Sequence, residues 1–283
     1  MDGLRYRIVD VFTHHKLEGN PLAVFPDATS LDGATMQKIA LELNLSETTF
    51  VLPSTRPDCV ANVRIFTPTR EMRFAGHPTI GTAWVLLDEG VTQANEFALE
   101  ELVGAVPVRV DGDLLWLTTP PIMFGPKFSR ELAAGALGLA AGDLLDIEPQ
   151  WLSAGNPNVY IALHSREAVD RASIDLAGLR KLAHGLSEPV CVFVFTPVES
   201  GAYSRMFAPE HGVAEDPATG SATGPLAAYM ARHALCARTP GTRLISEQGV
   251  KMGRRSLLHV LIREDGFDVG GAVAPVARGI MDL

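Results

Sequence analysis

The sequence predicts an α+β fold made by duplication, two similar domains facing each other, and three echoed segments carry that expectation. GNPLAVF, from Gly19, returns as GNPNVYIAL from Gly155. RIFTP, from Arg64, returns as RMFAP from Arg205, and GHPTIGTA, from Gly76, returns as GSATGPLA from Gly220. Each half runs from a GNP turn into a strand, on to Arg-x-Phe-x-Pro, then to a glycine-rich turn that opens a helix. A period near half the chain indicates a divergent domain duplication, not a solenoid of short repeats.

The elements follow in order. YRIVDVF (6–12) is dense in β-branched and aromatic residues and reads as a strand, and so does LAVF after the first GNP. From Asp32, a suitable N-cap, Met36, Ile39, Ala40 and Leu43 fall at helical spacing and predict an amphipathic helix that stops at NLSE. TTFVLP and VRIFTP read as strands, the second closed by Pro68. A helix is expected from about Pro78, a favoured first-turn residue, with Ile80, Ala83, Trp84 and Leu87 on its apolar face. VPVRVDGDLLWLTTP (106–120) reads as a hairpin turning at Asp111-Gly112. TTPPIMFGP (118–126), with three prolines, is the expected linker, which places the domains at 1–120 and 127–283, with the C-terminal strand free to return to the first domain. Ser129 is a helix cap, and LAAGALGLAAGDLL (132–145) reads as a buried helix, too short and too rich in glycine for a membrane span.

Composition narrows the function classes. The 283 residues are 47% hydrophobic and 20% charged, enough chain for a substantial core. A formal net charge of −9 argues against nucleic acid or anionic lipid as partners. Cys59, Cys191 and Cys236 form no metal-type pair and read as buried thiols in a reducing cytoplasm. The N-terminus has no apolar signal-peptide core, so a cytoplasmic, membrane-free protein is expected. His14-His15 is adjacent to no ligand spacing, and nucleophile-elbow, P-loop and Rossmann patterns are absent, so neither a metal nor a cofactor is expected.

The candidate chemistry gathers at two helix starts, Gly76-His77 and Gly220-Ser221. A helix start exposes unsatisfied N–H groups and the positive end of its dipole, and glycine lets a ligand approach the backbone closely. Two such starts from duplicated domains suit one anionic group, such as a substrate carboxylate. Asp216, in EDPATGSATG, is either a turn former or a residue that holds a cationic group. His77 is either a helix-entry residue bonded to backbone or a donor and proton carrier. Glu47, in LNLSETTF, is either a solvated charge or a partly buried acid/base, given the apolar and hydroxyl side chains around it. Asn20, in the first GNP, joins Gly76, Gly220 and Ser221 as a substrate-binding candidate.

LNLSETTFVLP, RIFTP with FAGHPTIGTA, and RMFAPEHGVAEDPATGSATGPLAAYMARH together resemble the phenazine-biosynthesis protein F family, and the resemblance runs from DVFTHHKLEGNPLAVF to EQGVKMGR. It implies a diaminopimelate-epimerase-like fold, two duplicated domains each curving a β-structure around a central helix, with the active site in the cleft between them. It also implies a cofactor-free isomerase. In the family's best-understood member a glutamate takes a proton from C3 of trans-2,3-dihydro-3-hydroxyanthranilate and returns it elsewhere on the conjugated ring. That glutamate maps to Glu47, and the histidine and aspartate that orient substrate map to His77 and Asp216. Gly76, Gly220 and Ser221 would hold the carboxylate, and a homodimer is implied. Epimerases of this fold place a cysteine at each helix start, where this chain has Ala75 and Thr219.

Three functions are therefore weighed. One is an isomerase with Glu47 as a single acid/base acting on a small unsaturated carboxylated substrate. Another is an amino-acid racemase or epimerase, which needs a second acid/base opposite Glu47. The third is a binding protein that kept the fold without catalysis.

Overall fold

A computed structural model describes residues 3–186 and 188–283. The chain divides into two compact units, residues 3–118 together with Gly270–Leu283, and Thr119–Val269. Strand pairing, not composition, shows how each unit is built.

The first unit opens with β1 (Leu4–Val11) and β2 (Asn20–Phe25), paired antiparallel. Helix α1 (Gly33–Leu43) then carries the chain across to β3 (Glu47–Leu52), which runs parallel to β2. A parallel pair requires such a crossover. Asp32 caps α1 by accepting from the Thr35 N–H, and Met36, Ile39 and Ala40 are buried as the spacing predicts. β4 (Ala61–Phe66) returns antiparallel to β3, the short β5 (Glu71–Met72) folds back on β4, and α2 (Gly76–Asp88) makes the second crossover. β6 (Glu96–Glu101) lies parallel to β4, followed by β7 (Gly104–Asp111) and β8 (Leu114–Thr118), each antiparallel to the strand before it. The C-terminal strand, Val273–Met281, pairs with β1.

α2 begins at Gly76, one turn-fragment earlier than Pro78 suggests, and every residue from Gly76 to Ala83 is buried. A helix covered nearly all round is an interior helix, whereas α1 shows the one-sided burial of a surface helix. The tight fit explains Gly81. A Cβ there would stand 2.6 Å from Leu22 Cδ2 and 2.8 Å from Val11 Cγ2. The hairpin register pairs Asp111 with Leu114, so its turn is Gly112-Asp113, with Gly112 at φ +64.

The second unit corrects two expectations. The proline-rich segment is not all linker: residues Met123–Lys127 form β9, which pairs antiparallel with β10 (Gln150–Ser153). Proline is tolerated where its missing N–H is not required by a neighbouring strand. The predicted buried helix at 132–145 is cut short. α3 (Arg130–Ala136), capped by Ser129, gives way at Gly138 (φ +63) to a turn and a single 3-10 turn at Ala141–Asp143. Glycine in the left-handed region ends the helix, and beyond it, within 132–145, only Leu144 is fully buried, by tertiary contacts in place of a helix face.

β11 (Pro157–Ala162) is antiparallel to β10. Helices α4 (Arg166–Arg171) and α5 (Leu176–Leu182) cross over to β12 (Cys191–Val198), parallel to β11. β13 (Gly201–Ala208) is antiparallel to β12, and the short β14 (Val213–Asp216) folds back on β13. α6 (Gly220–Arg232), buried from Ala222 to Ala231, crosses to β15 (Arg243–Gln248), parallel to β13. β16 (Ser256–Ile262), antiparallel to β15, and β17 (Phe267–Gly271) follow, and the C-terminal strand named above is β18.

The same sequence of pairings therefore occurs twice, and the registers align the two units residue by residue. Leu22 pairs with Glu47 as Asn158 pairs with Cys191. Phe50 pairs with Arg64 as Val194 pairs with Arg205. Ile65 pairs with Met72 as Met206 pairs with Asp216. Asn62 pairs with Glu100 as Tyr203 pairs with Glu247. Glu47 thus corresponds to Cys191, Met72 to Asp216, and Glu101 to Gln248. One ion pair is repeated as well. Arg64 grips Glu71 through Nε and Nη2 at 2.7 and 2.8 Å, and Arg205 grips Glu215 at 2.9 and 2.8 Å. Two parallel N–H···O bonds of this kind hold the short return strand in register.

Candidate active site

Glu47 is the first residue of β3. The next two residues, Thr48 and Thr49, are fully buried, and Thr49 and Thr82 share a 2.8 Å hydroxyl bond that ties β3 to α2. That link brings the Glu47 carboxyl to the α2 start, where His77 Nδ1 stands 3.4 Å from Glu47 Oε2. The His77 side chain is 5% exposed and that of Glu47 17%.

Burial pushes the His77 imidazole down to about 3, against a weaker opposing pull from a hydrogen bond with the Pro21 backbone. The ring is therefore neutral at neutral pH. Its Nδ1 faces the Glu47 oxygen, while Nε2 is buried without a hydrogen-bond partner among the described groups. The single ring proton is best placed on Nδ1, which leaves an Nε2 lone pair to accept. Asn20, fully buried, begins β2 next to Pro21. Gly76 is the first helical residue, and Ala75 at the N-cap supplies no side-chain cap to the first-turn N–H groups.

In the second unit Asp216 ends β14 and is 8% exposed. It is fixed from two directions. Thr219 Oγ1 donates to Asp216 Oδ2 at 2.5 Å, and Gln248 Nε2 donates to the Asp216 carbonyl at 2.7 Å and to Thr219 Oγ1 at 3.0 Å. Gln248 Oε1 in turn accepts from the Thr219 N–H at 3.3 Å. Gly249, at φ +75, lets the chain leave this knot, because a Cβ would meet the Pro217 carbonyl oxygen at 2.6 Å. Gly220 opens α6, and Ser221 Oγ accepts from Asn156 Nδ2 at 3.3 Å.

Gln248 and Asn156 are absent from the sequence-predicted set. Both left a trace in the sequence: Gln248 lies in EQGVKMGR, and Asn156 is the repeat partner of Asn20. Ala75 and Thr219 are the N-cap residues of α2 and α6, so neither helix start carries a thiol. Cys191, at the position corresponding to Glu47, is held neutral. Burial, helped by the Asp216 charge, pushes its thiol up to about 12. His14 meets Asp113 at 3.4 Å on the surface, and among the described residues no three His, Cys, Asp or Glu side chains gather as a metal site. No helix among the described residues is long and apolar enough to cross a membrane.

The family model described as phenazine biosynthesis-like protein matches residues 9–279. The trans-2,3-dihydro-3-hydroxyanthranilate isomerase of Pseudomonas aeruginosa is 39% identical over 289 residues, covering 97% of this chain and 98% of that one. The crystal structure of a PhzF-family phenazine biosynthesis protein from Bacillus anthracis superposes with a TM-score of 0.90 at 24% identity, over the full length of both chains. A probable proline racemase from Agrobacterium radiobacter superposes with a TM-score of 0.64 at 14% identity, covering 99% of this chain and 93% of that one, which places the fold among the epimerase-like folds. With the match spanning nearly the whole chain, this protein belongs to the phenazine biosynthesis-like protein family and is an isomerase of it.

Proposed function

We propose that the protein is a cofactor-independent isomerase that moves a proton within a small unsaturated carboxylated substrate, with Glu47 as the single acid/base. The observation that supports this most is the Glu47–His77 contact at the uncapped start of α2. The substrate of the Pseudomonas aeruginosa relative, trans-2,3-dihydro-3-hydroxyanthranilate, is the leading candidate.

In this reading the Glu47 carboxylate takes the proton from the carbon that bears it. The C–H electron pair enters the conjugated system, and the Glu47 carboxylic acid returns the proton further along it. Atoms and electrons balance between substrate and carboxyl, so the step calls for no redox partner. Charge that develops on the substrate meets the N–H groups of a helix start, donors already oriented before the reaction. His77, neutral, stands with Nδ1 beside the Glu47 carboxyl and helps orient substrate at the α2 start. Asp216, held by Thr219 and Gln248, binds a cationic or hydroxyl group of the substrate. Asn20, Gly76, Gly220 and Ser221 complete the binding set. A two-thiol stereoinversion has no support from Ala75 and Thr219 at the helix starts.

The test is turnover of trans-2,3-dihydro-3-hydroxyanthranilate in D₂O, followed by NMR and ultraviolet absorbance in wild type and Glu47→Gln. Movement of the C3 hydrogen that disappears in Glu47→Gln supports the proposal. Turnover that survives the substitution removes Glu47 as the acid/base. No turnover by folded wild type removes this substrate and leaves other small unsaturated acids to be tried.

A further inference from the structure

Glu101 is among the buried ionisable groups that the mechanism above leaves unused. Glu101 ends β6, is 4% exposed, and places Oε1 2.6 Å from Thr79 Oγ1 on α2. Its Oε2 is buried without a hydrogen-bond partner among the described groups. The Thr79 hydroxyl also donates to the carbonyl of Ala75, the α2 N-cap residue, at 2.7 Å.

Hydrogen counting decides what Glu101 must be. The Thr79 hydroxyl has one proton and cannot donate it to two acceptors at once. If Glu101 were a carboxylate, either Ala75 O or Glu101 Oε1 would face a lone pair at under 3 Å, and the second carboxylate oxygen would be buried bare. If Glu101 carries a proton, it donates to Thr79 Oγ1, Thr79 donates to Ala75 O, and the chain of bonds is complete. The second unit has a neutral donor at the corresponding position, bonded to the N-cap residue itself. The position corresponding to Glu101 is Gln248, a neutral side chain whose N–H₂ donates to Thr219 Oγ1 and to the Asp216 carbonyl at the start of α6. The hydroxyl corresponding to that of Thr79 belongs to Thr223, which donates to Thr219 O at 2.9 Å.

We propose that Glu101 is a protonated, neutral carboxylic acid at neutral pH and a positioning residue, holding the α2 start, with Gly76 and His77, through Thr79 and the Ala75 carbonyl. Burial accords with this, pushing the Glu101 carboxyl up to about 8 against the pull of the Thr79 bond. No charged side chain contributes to that shift. On α2 the titratable groups are His77, itself neutral, and Asp88, paired with Arg7, and β7 presents Gly104 opposite Glu101. The adjacent Glu100 is engaged elsewhere, accepting from Ser54 and Thr55. The role matters for catalysis only if α2 binds substrate, so that part rests on the proposed function. The protonation state and the brace do not.

The experiment is carbon-13 NMR of glutamate side-chain carboxyls in the full-length protein across pH 6 to 10, with thermal unfolding of Glu101→Gln, Glu101→Ala and Thr79→Val. The expected result is one carboxyl, missing in Glu101→Gln, that stays protonated at pH 7 and ionises only at alkaline pH. Glu101→Gln, which keeps an N–H donor, should unfold near the wild-type temperature and lose the decline in stability that wild type shows as pH rises to about 8, above which both folded and unfolded Glu101 are ionised. Glu101→Ala and Thr79→Val should unfold lower at every pH. Where turnover is measurable, these two should raise KM more than they lower kcat, and Glu101→Gln should restore KM. A Glu101 carboxyl already ionised at pH 7 overturns the proposal. So does Glu101→Gln being as destabilised as Glu101→Ala. Neither outcome depends on the substrate, so failure of the proposed function would leave this test intact.

Discussion

The two units share one scaffold and differ where chemistry is expected. Both cross over twice between parallel strands, both bury the second crossover helix on nearly all sides, and both pin the short return strand with an Arg–Glu pair. At the helix starts they diverge. The first unit puts Glu47 beside His77, and the second has Cys191 and Ser221 at those positions, with Asp216 where the first has Met72. Duplication preserved what the fold needs, main-chain pairing and helix burial, and released the side chains around each helix start to take different roles.

The largest effect expected from breaking this comparison is catalytic. Glu47→Gln should lower kcat/KM by about 10²–10⁴-fold, the usual contribution of a positioned acid/base, with the fold intact by circular dichroism. Cys191→Ser, the corresponding change in the second unit, should leave the rate of the same order, because the thiol is neutral and supplies no base. Equal losses from both would show that the two halves share the proton chemistry.

The repeated ion pair gives the next contrast. Arg205 is 10% exposed and also donates to the carbonyls of Val169, Asp170 and Ala172, whereas Arg64 is 29% exposed. Arg205→Ala strands the part-buried Glu215 carboxylate and three carbonyl acceptors and should cost about 3 kcal/mol in urea unfolding. Arg64→Ala, more open to solvent, should cost about 1 kcal/mol.

Acid should act on the first unit through His77. The unfolded chain binds a proton at His77 near pH 6.5 and the folded protein only near 3, so between those values folding releases a proton and stability rises with pH. The His77 contribution is complete above pH 6.5 and is lost on acidification. At pH 5 wild type should have lost about 2 kcal/mol relative to pH 7 that His77→Ser does not lose, measured as the difference between their urea midpoints.

The smallest effects concern glycine. Gly81→Ala drives a methyl into Leu22 and Val11 and should destabilise by about 1–2 kcal/mol, overpacking outweighing the gain in helix propensity. Gly135→Ala on α3, where an added methyl meets open space, should stabilise by about 0.5–1 kcal/mol. Thermal unfolding of the two variants should shift in opposite directions.

Local patterns carried much of this protein into view. The GNP, Arg-x-Phe-x-Pro and glycine-turn echoes established the duplication, and Asp32 and Ser129 marked their helix starts because capping is decided within four residues. Glu47 and His77 stood out through their motifs, thirty positions apart, with nothing in the chain between them to say that they touch. That contact depends on β3 lying parallel to β2 and on the Thr49–Thr82 bond to α2. The helix predicted at 132–145 failed because apolar content alone does not fix a helix against Gly138, and the proline-rich linker hid a strand because pairing partners are not local.

Glu101 is the clearest case of what the sequence could not announce. In FALEEL it looks like any charge on a half-buried strand, and the chemistry of its position emerges only when β6 is set parallel to β4 and faces Thr79. The sequence by itself determined the elements, their repeat and the residue types available. The tertiary structure decided which of those residues are buried together. Burial and partner geometry, which set protonation states and hydrogen-bond direction, are properties of strand register and helix packing between segments far apart in the chain.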